Sequence, residues 1–268
     1  MSQFLEEVQL MKSAPSIFAT GGSEKMSSRY GFIPTIEVVR GLNKAGFHPV
    51  KASQTKSRSD EGRDYSKHLI RFRHESNLKA VKEDGLFPEI VLINSHDGST
   101  SYQLRAGIFR LVCSNGLIVG DECYSRRIRH QGDVVEKVVE AANDLIEITP
   151  ISVEKANEWS QIELDPLQKI AFAESAALLK WDPLIVEARP MKDISEGLLS
   201  PKRWGDRKND LWTTFNVVQE NMLQGGIRYR TDAGSRQRSR AVNSVSENIR
   251  LNTSLWSLTE KMAGLVKG

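Results

Sequence analysis

Apolar positions recur with two different periods along this chain, and the period changes near residue 132. Before it, Ile36, Val39 and Leu42 recur at helical spacing and Gly46 follows as a stop, which predicts a helix. Residues 47–55 then read as a strand. Over residues 65–74 strict alternation places Tyr65, Lys67, Leu69, Arg71 and Arg73 on one face, with Ser66, His68, Ile70, Phe72 and His74 on the other. Further strands are predicted at 88–94, 101–112, 116–119 and 124–130. Asn94-Ser95-His96-Asp97-Gly98 and Asn115-Gly116 supply the turn chemistry between them.

After residue 132 the pattern becomes helical. Asp133 is placed to cap a long helix over 133–147 whose apolar face is Val134, Val135, Val138, Val139, Ala142, Leu145 and Ile146. Shorter helices are predicted at 151–159, 166–180 and 191–199, broken by Pro150, Pro166, Pro183, Pro190 and Pro201. A helix over 209–223 carries the stripe Leu211, Phe215, Val218 and Met222 and ends at Gly225-Gly226. A last helix is predicted over 241–263.

Strands followed by runs of helices make the fold class α+β: an N-terminal helix plus antiparallel sheet and long helix, then an all-helical C-terminal half. Ser13, Pro15, Gly21, Gly22, Ser23, Ser27 and Ser28 mark residues 1–28 as a flexible N-terminal arm. The sheet domain is then 29–148, and 149–268 is a helical region packed on it.

The 268 residues carry 37 Lys+Arg and 34 Asp+Glu, for a net charge of +3. That balance excludes a protein that coats nucleic acid by bulk charge, but it hides a segregation. Residues 131–165 hold nine acids against Lys137 and Lys155, a net of −7. Residues 40–74 carry +6 and residues 200–240 carry +5. Such asymmetry marks surfaces for charged partners, or solvated faces. The apolar runs are too short to span a membrane, and the acidic start MSQFLEE is unlike a signal peptide. Two cysteines, Cys113 and Cys123, make neither a disulfide framework nor a zinc module, so the cytoplasm is the expected compartment.

No P-loop, GxGxxG, GxSxG, HExxH or CxxC is present, which counts against the common nucleotide, hydrolase and zinc chemistries. His96 beside Asp97 is the most enzyme-like pair, as base or metal ligand. The same residue types serve a turn for backbone reasons alone. His68, His74 and His130 could meet as a metal triad, but two of them share a strand face with Ile70 and Phe72 and read as core histidines. Cys113, in the run Leu111-Val112-Cys113, reads as a small buried hydrophobe. No catalytic residue, metal ligand or cofactor is therefore assigned.

The basic residues form the stronger constellation. Lys67, Arg71 and Arg73 share one strand face, and Arg126, Arg127 and Arg129 decorate another strand. Arg228, Arg230, Arg236 and Arg238 fall in a Gly- and Ser-containing segment, 226–240, with Asp232 the one acid there. Guanidinium forks suit phosphate oxygens, and a mobile arginine loop beside a basic sheet would form a single-strand groove. Tyr65, Tyr229 and Trp204 are the stacking candidates. The competing reading pairs some of these arginines with the acidic helix.

Several words of the chain are familiar in combination. They include Arg29-Tyr30-Gly31-Phe32-Ile33-Pro34-Thr35, Ser66-Lys67-His68-Leu69-Ile70-Arg71-Phe72-Arg73-His74 and Asn94-Ser95-His96-Asp97-Gly98-Ser99. Phe109 to Leu117, Asp210 to Asn216, Gln219-Glu220-Asn221 and Arg250-Leu251-Asn252 complete them. Over roughly 28–264 the chain resembles the phage- and plasmid-borne domain-of-unknown-function family nine-three-two. The resemblance carries no activity and no catalytic residues. It implies an accessory gene of prophages and conjugative plasmids, a class that handles DNA or counters host defence.

The expected function is ATP-independent nucleic-acid binding, with single-stranded DNA favoured. The element order is similar to that of Rad52-like annealing proteins, an analogy that brings self-assembly with it. The alternatives are an anti-defence or regulatory factor that binds a host protein through the acidic helical face, and a metal-dependent hydrolase built on His96 and Asp97.

Overall fold

The computed structural model describes residues 4–23, 31–55, 57, 62–77, 86–110, 117–118, 125–182, 188–231 and 233–268. Cys113, Cys123, the Asn115-Gly116 turn, Asp232 and most of the 56–64 loop lie outside them. The architecture is α+β, and the chain divides into two compact units. One is Met1–Ile151 with Asn243–Val245; the other is Ser152–Val242 with Ser246–Gly268.

In the first unit, the alternating segments pair as an antiparallel sheet. Its strands are β1 (Phe47–Gln54), β2 (His68–His74), β3 (Leu86–Asn94), β4 (Tyr102–Arg110), β5 (Leu117–Ile118) and β6 (Ser125–Ile128). They run in the order β1-β2-β3-β4, and β5 and β6 share the free edge of β4. Register sets Ile70 opposite Leu92 and Leu92 opposite Leu104. That row, with Phe72, Ile90 and Tyr102, forms the core face. Helix α2 (Thr35–Lys44) contributes Ile36, Val39 and Leu42 to this core, and α3 (Val134–Trp159) contributes Val134, Val138, Ala142 and Leu145. The two helices meet closely: a Cβ on Gly41 would lie 2.4 Å from a Val135 methyl.

The N-terminal segment differs from the expected flexible arm. Residues 7–13 form α1 (Glu7–Ser13), opened by a Glu6–Gln9 capping box, and Pro15–Phe18 form a 3-10 turn. Leu10, Ala14 and Ile17 are fully buried in the same core. Burial of those three side chains outweighs the Gly and Ser content on which the expectation rests.

Helix α3 also departs from expectation, because Pro150 does not end it. Proline offers no N–H to the carbonyl four residues back. The Thr149 hydroxyl donates to that carbonyl, on Ile146, at 2.6 Å. The group that Pro150 would orphan is thereby satisfied.

The second unit holds α4 (Pro166–Ala177), α5 (Ala188–Leu198), α6 (Leu211–Gln224) and α7 (Val245–Lys267). Pro190 sits inside the first turn of α5 rather than ahead of it, where a missing N–H costs nothing. Its core is aromatic. Trp159 lies 4.4 Å from Trp256 between ring centroids, and Trp212 stacks on Phe215 at 5.5 Å. The expected one-sided stripe on α6 is an understatement, since every residue from Leu211 to Leu223 is buried. Its polar residues are satisfied locally. Asn216 donates to the Trp212 carbonyl at 2.6 Å, Gln219 to Asn252 at 2.6 Å, and Asn221 to the carbonyls of Leu198 and Ser200 at 3.0 and 2.9 Å. No described helix is long and apolar enough to cross a membrane.

Candidate nucleic-acid interface

The segment after α6 is a hairpin, not the loop expected from its Gly and Ser content. Strands β7 (Arg228–Arg230) and β8 (Arg236–Arg238) pair antiparallel. Thr231 and Ser235 close the turn, with Thr231 N–H donating to the Ser235 carbonyl at 2.9 Å and Ser235 N–H to Thr231 Oγ1 at 3.1 Å. At the open end Ser239 N–H donates to the Ile227 carbonyl, and Ile227 N–H to Ser239 Oγ. Asp193 of α5 accepts the Arg230 N–H at 2.9 Å, anchoring β7.

Register then decides the chemistry. Arg228 stands opposite Arg238, and Arg230 opposite Arg236. Residues two apart share a strand face, so all four arginines lie on one side and Tyr229 and Gln237 on the other. All four are exposed. Among the described residues, no carboxylate lies within ion-pairing distance of any of them. Like charges directly opposite are destabilising. The hairpin therefore sets four cations side by side, with no ion pair to any of them among the described residues.

A cavity of about 650 Å³ adjoins this hairpin, lined by Lys202, Gln224, Gly225, Gly226, Arg238, Ser239, Arg240 and Ala241. Lys202 Nζ donates to Gln224 Oε1 at 2.6 Å on its wall. Gly225 has φ 66°, and a Cβ there would meet the Arg240 backbone at 2.6 Å, so only glycine lets the two chain segments close this wall. Lys180 ties it down from behind, donating to the Met222 and Arg240 carbonyls at 2.5 and 2.9 Å. Burial pulls the Lys180 pKa down, opposed by Glu247.

The expected basic sheet face is not open. Arg71 donates to Glu89 Oε2 at 2.7 Å and Arg73 to Glu89 Oε1 at 2.5 Å. Their side chains are 12% and 7% exposed, and that of Glu89 is fully buried. Arg71 and Arg73 therefore neutralise a buried carboxylate and keep little surface for a phosphate. Their partner is a neighbouring strand and not the acidic helix. Lys67 is half-buried ahead of β2, and Arg126 is half-buried and donates to the Ser125 carbonyl at 3.1 Å. Arg127 and Arg129 are exposed at the sheet edge.

His96 and Asp97 point to different tasks. The Asp97 carboxylate accepts from Ser95 Oγ at 2.6 Å and Ser99 N–H at 2.9 Å, closing its own turn. Burial, which alone would raise its pKa, is outweighed by these bonds, and the pKa falls. His96 is fully buried and turns inward to Thr35.

There it joins a network that patterning does not reveal. Thr35 Oγ1 lies 3.0 Å from His68 Nε2, 3.1 Å from His96 Nε2 and 3.0 Å from Asn94 Nδ2. His68 Nδ1 lies 2.9 Å from Ser16 Oγ, which can donate or accept, and 3.1 Å from the Ser66 carbonyl, which only accepts, so we assign the proton to that nitrogen. Nε2 of His68 then accepts from the Thr35 hydroxyl, while His96 and Asn94 donate to it. Both histidines are neutral. Burial first, then the neighbouring His96, pushes the His68 pKa down to about 3. Burial and His130 push His96 down to about 4. Among the described residues, no group of three or more His, Cys, Asp or Glu is arranged to hold a metal.

The family model described as "Domain of unknown function (DUF932)" matches residues 24–256. The chain belongs to the DUF932 family. It is 36% identical over 258 residues to the UPF0380 protein YafZ of Escherichia coli strain K12, covering 96% of this chain and 91% of that one. It is equally similar, at 36% over the same span, to the UPF0380 protein YfjQ of that strain. No solved structure matches it. The matched span of this DUF932 chain includes the whole arginine hairpin and the Thr35 network.

Proposed function

We propose that this chain binds nucleic acid through its phosphates, without ATP, as a cytoplasmic accessory protein of a phage- or plasmid-type element. The supporting observation is the hairpin: Arg228, Arg230, Arg236 and Arg238 present one exposed cationic face beside a cavity bearing Lys202 and Arg240. Four guanidinium groups with no described ion pair are free to take an anion from outside the fold, and phosphodiesters match their fork geometry. The DUF932 membership and the two relatives assign no activity, so the proposal rests on this geometry. The test is fluorescence anisotropy of purified protein, freed of co-purifying nucleic acid, with single-stranded DNA, duplex DNA and RNA at two salt concentrations. Binding that weakens with salt supports the reading. Absence of binding to every probe at low salt removes it.

A second reading has its own observation. Glu136, Glu140, Asp144 and Glu147 form an exposed stripe along α3, and among the described residues none of them has a basic partner. That stripe fits a basic protein partner. Nuclease-treated pull-downs with wild type and with all four changed to their amides separate this reading: a partner released with the charges supports it, and an empty wild-type lane removes it.

A further inference from the structure

Resting on the nucleic-acid reading, we infer that Trp204 is a base-stacking platform that makes the interface selective for unpaired bases. Trp204 is 81% exposed, an unusual state for the residue type that is highly buried on average. It contributes almost nothing to the core and sits where it can meet a ligand.

Its turn is held firmly. Trp204–Asp206 is a 3-10 turn, and its flanking Arg203 grips Glu220 of α6 by two hydrogen bonds of 2.6 and 2.7 Å. Arg203 also donates to Asp206 at 3.1 Å. Lys202, one residue further back, reaches Gln224, one helical turn beyond Glu220, on the wall of the cationic cavity. The same α6 face thus seats both the cavity and the turn that carries Trp204. Holding the turn in advance lowers the entropy lost when a base docks.

The surroundings of the ring suit a nucleotide. The Arg207 guanidinium lies over it at 4.5 Å from the centroid. With one face covered by a cation and the side chain still 81% exposed, the other face is open to solvent. A Cβ on Gly205 would find nothing within 4 Å, so the backbone next to Trp204 is open. Lys202, Arg207 and Lys208, close to it in sequence, are exposed and would supply phosphate contacts to the strand that carries a stacked base. Every base has a π-face, so stacking accepts any sequence, but a base paired inside a duplex cannot present that face.

The experiment compares full-length wild type, Trp204→Ala and Trp204→Phe by anisotropy on three probes: a single strand, its duplex, and an abasic single strand of equal length. Trp204→Ala is expected to weaken single-strand binding by about 5- to 150-fold, the span of one aromatic-base stack. Duplex and abasic affinities stay unchanged, and Trp204→Phe keeps most of the single-strand affinity. An equal loss on all probes, or no loss on any, overturns the inference while leaving nucleic-acid binding intact. Wild type that binds no probe at low salt overturns both.

Discussion

Arg203 and Glu220 are joined by two parallel hydrogen bonds of 2.6 and 2.7 Å, although one belongs to a loop and the other to a helix buried on every side. The Glu220 side chain is 4% exposed, and Arg203 is its ion-pair partner, with the Gln224 amide donating to the same carboxylate at 3.1 Å. Removing Arg203 strips a buried carboxylate of its ion-pair partner, a change that costs about 3–5 kcal/mol where both partners are buried. Arg203 is 30% exposed, so the cost of Arg203→Ala falls at the lower end, about 3 kcal/mol. Urea midpoints for Arg203→Ala, Glu220→Gln and the double variant check this. The double variant should cost less than the sum of the two.

The hairpin separates binding from stability. Changing Arg228, Arg230, Arg236 and Arg238 to Gln removes two cross-strand repulsions, so the thermal midpoint should hold or rise slightly. Binding should weaken, and the slope of log affinity against log salt should flatten by about 0.7 for each single-strand phosphate that the variant no longer neutralises. Arg71→Gln and Arg73→Gln should behave oppositely: both leave Glu89 short of a partner and lower the unfolding midpoint, with binding by the folded fraction unchanged.

That contrast shows where the chain is legible and where it is not. Alternation over 65–74 puts Arg71 and Arg73 on the same face, as the strand pairing bears out, because side-chain period is a local property. Whether that face is wet depends on Glu89, a residue in another strand, and no local pattern reports it. The same limit applies to α6, where Gln219, Glu220 and Asn221 look like a solvent face until their partners on other segments are placed. The hairpin reads as a loop in sequence because its strands are three residues each, too short for a period to register. Its arginines stand out from composition alone. The Thr35 network joins residues 33 and 61 positions apart, beyond any spacing rule.

The N-terminal segment tests the core boundary. Leu10 is 1% exposed and packs in the first unit. Leu10→Ala should cost about 2–5 kcal/mol, as for other buried leucines. Were residues 1–28 a loose arm, the unfolding midpoint would not move. Val8→Ala, at an exposed site on the same helix, is the matched control.

The last prediction concerns acid. His68 and His96 titrate near 3 and 4 in the folded chain, against an ordinary histidine value near 6.5. Between those values the unfolded chain holds more protons than the folded one, so stability rises with pH there. The stabilisation is complete above about 6.5 and is lost progressively as pH falls toward 4 and then 3. The geometry agrees with the sign, because a proton on His68 Nε2 would set two donors against each other across the Thr35 hydroxyl. Thr35→Val removes the shared hydroxyl and leaves His96 Nε2 and Asn94 Nδ2 as buried donors without their acceptor. Each unsatisfied group costs about 1–3 kcal/mol, so the variant should lose at least about 2 kcal/mol at neutral pH. His68→Phe removes one titrating group, and its stability should fall less steeply between pH 6.5 and 4 than that of wild type. A wild-type unfolding free energy that stays flat over that interval would mean that the two histidines are not held neutral by burial.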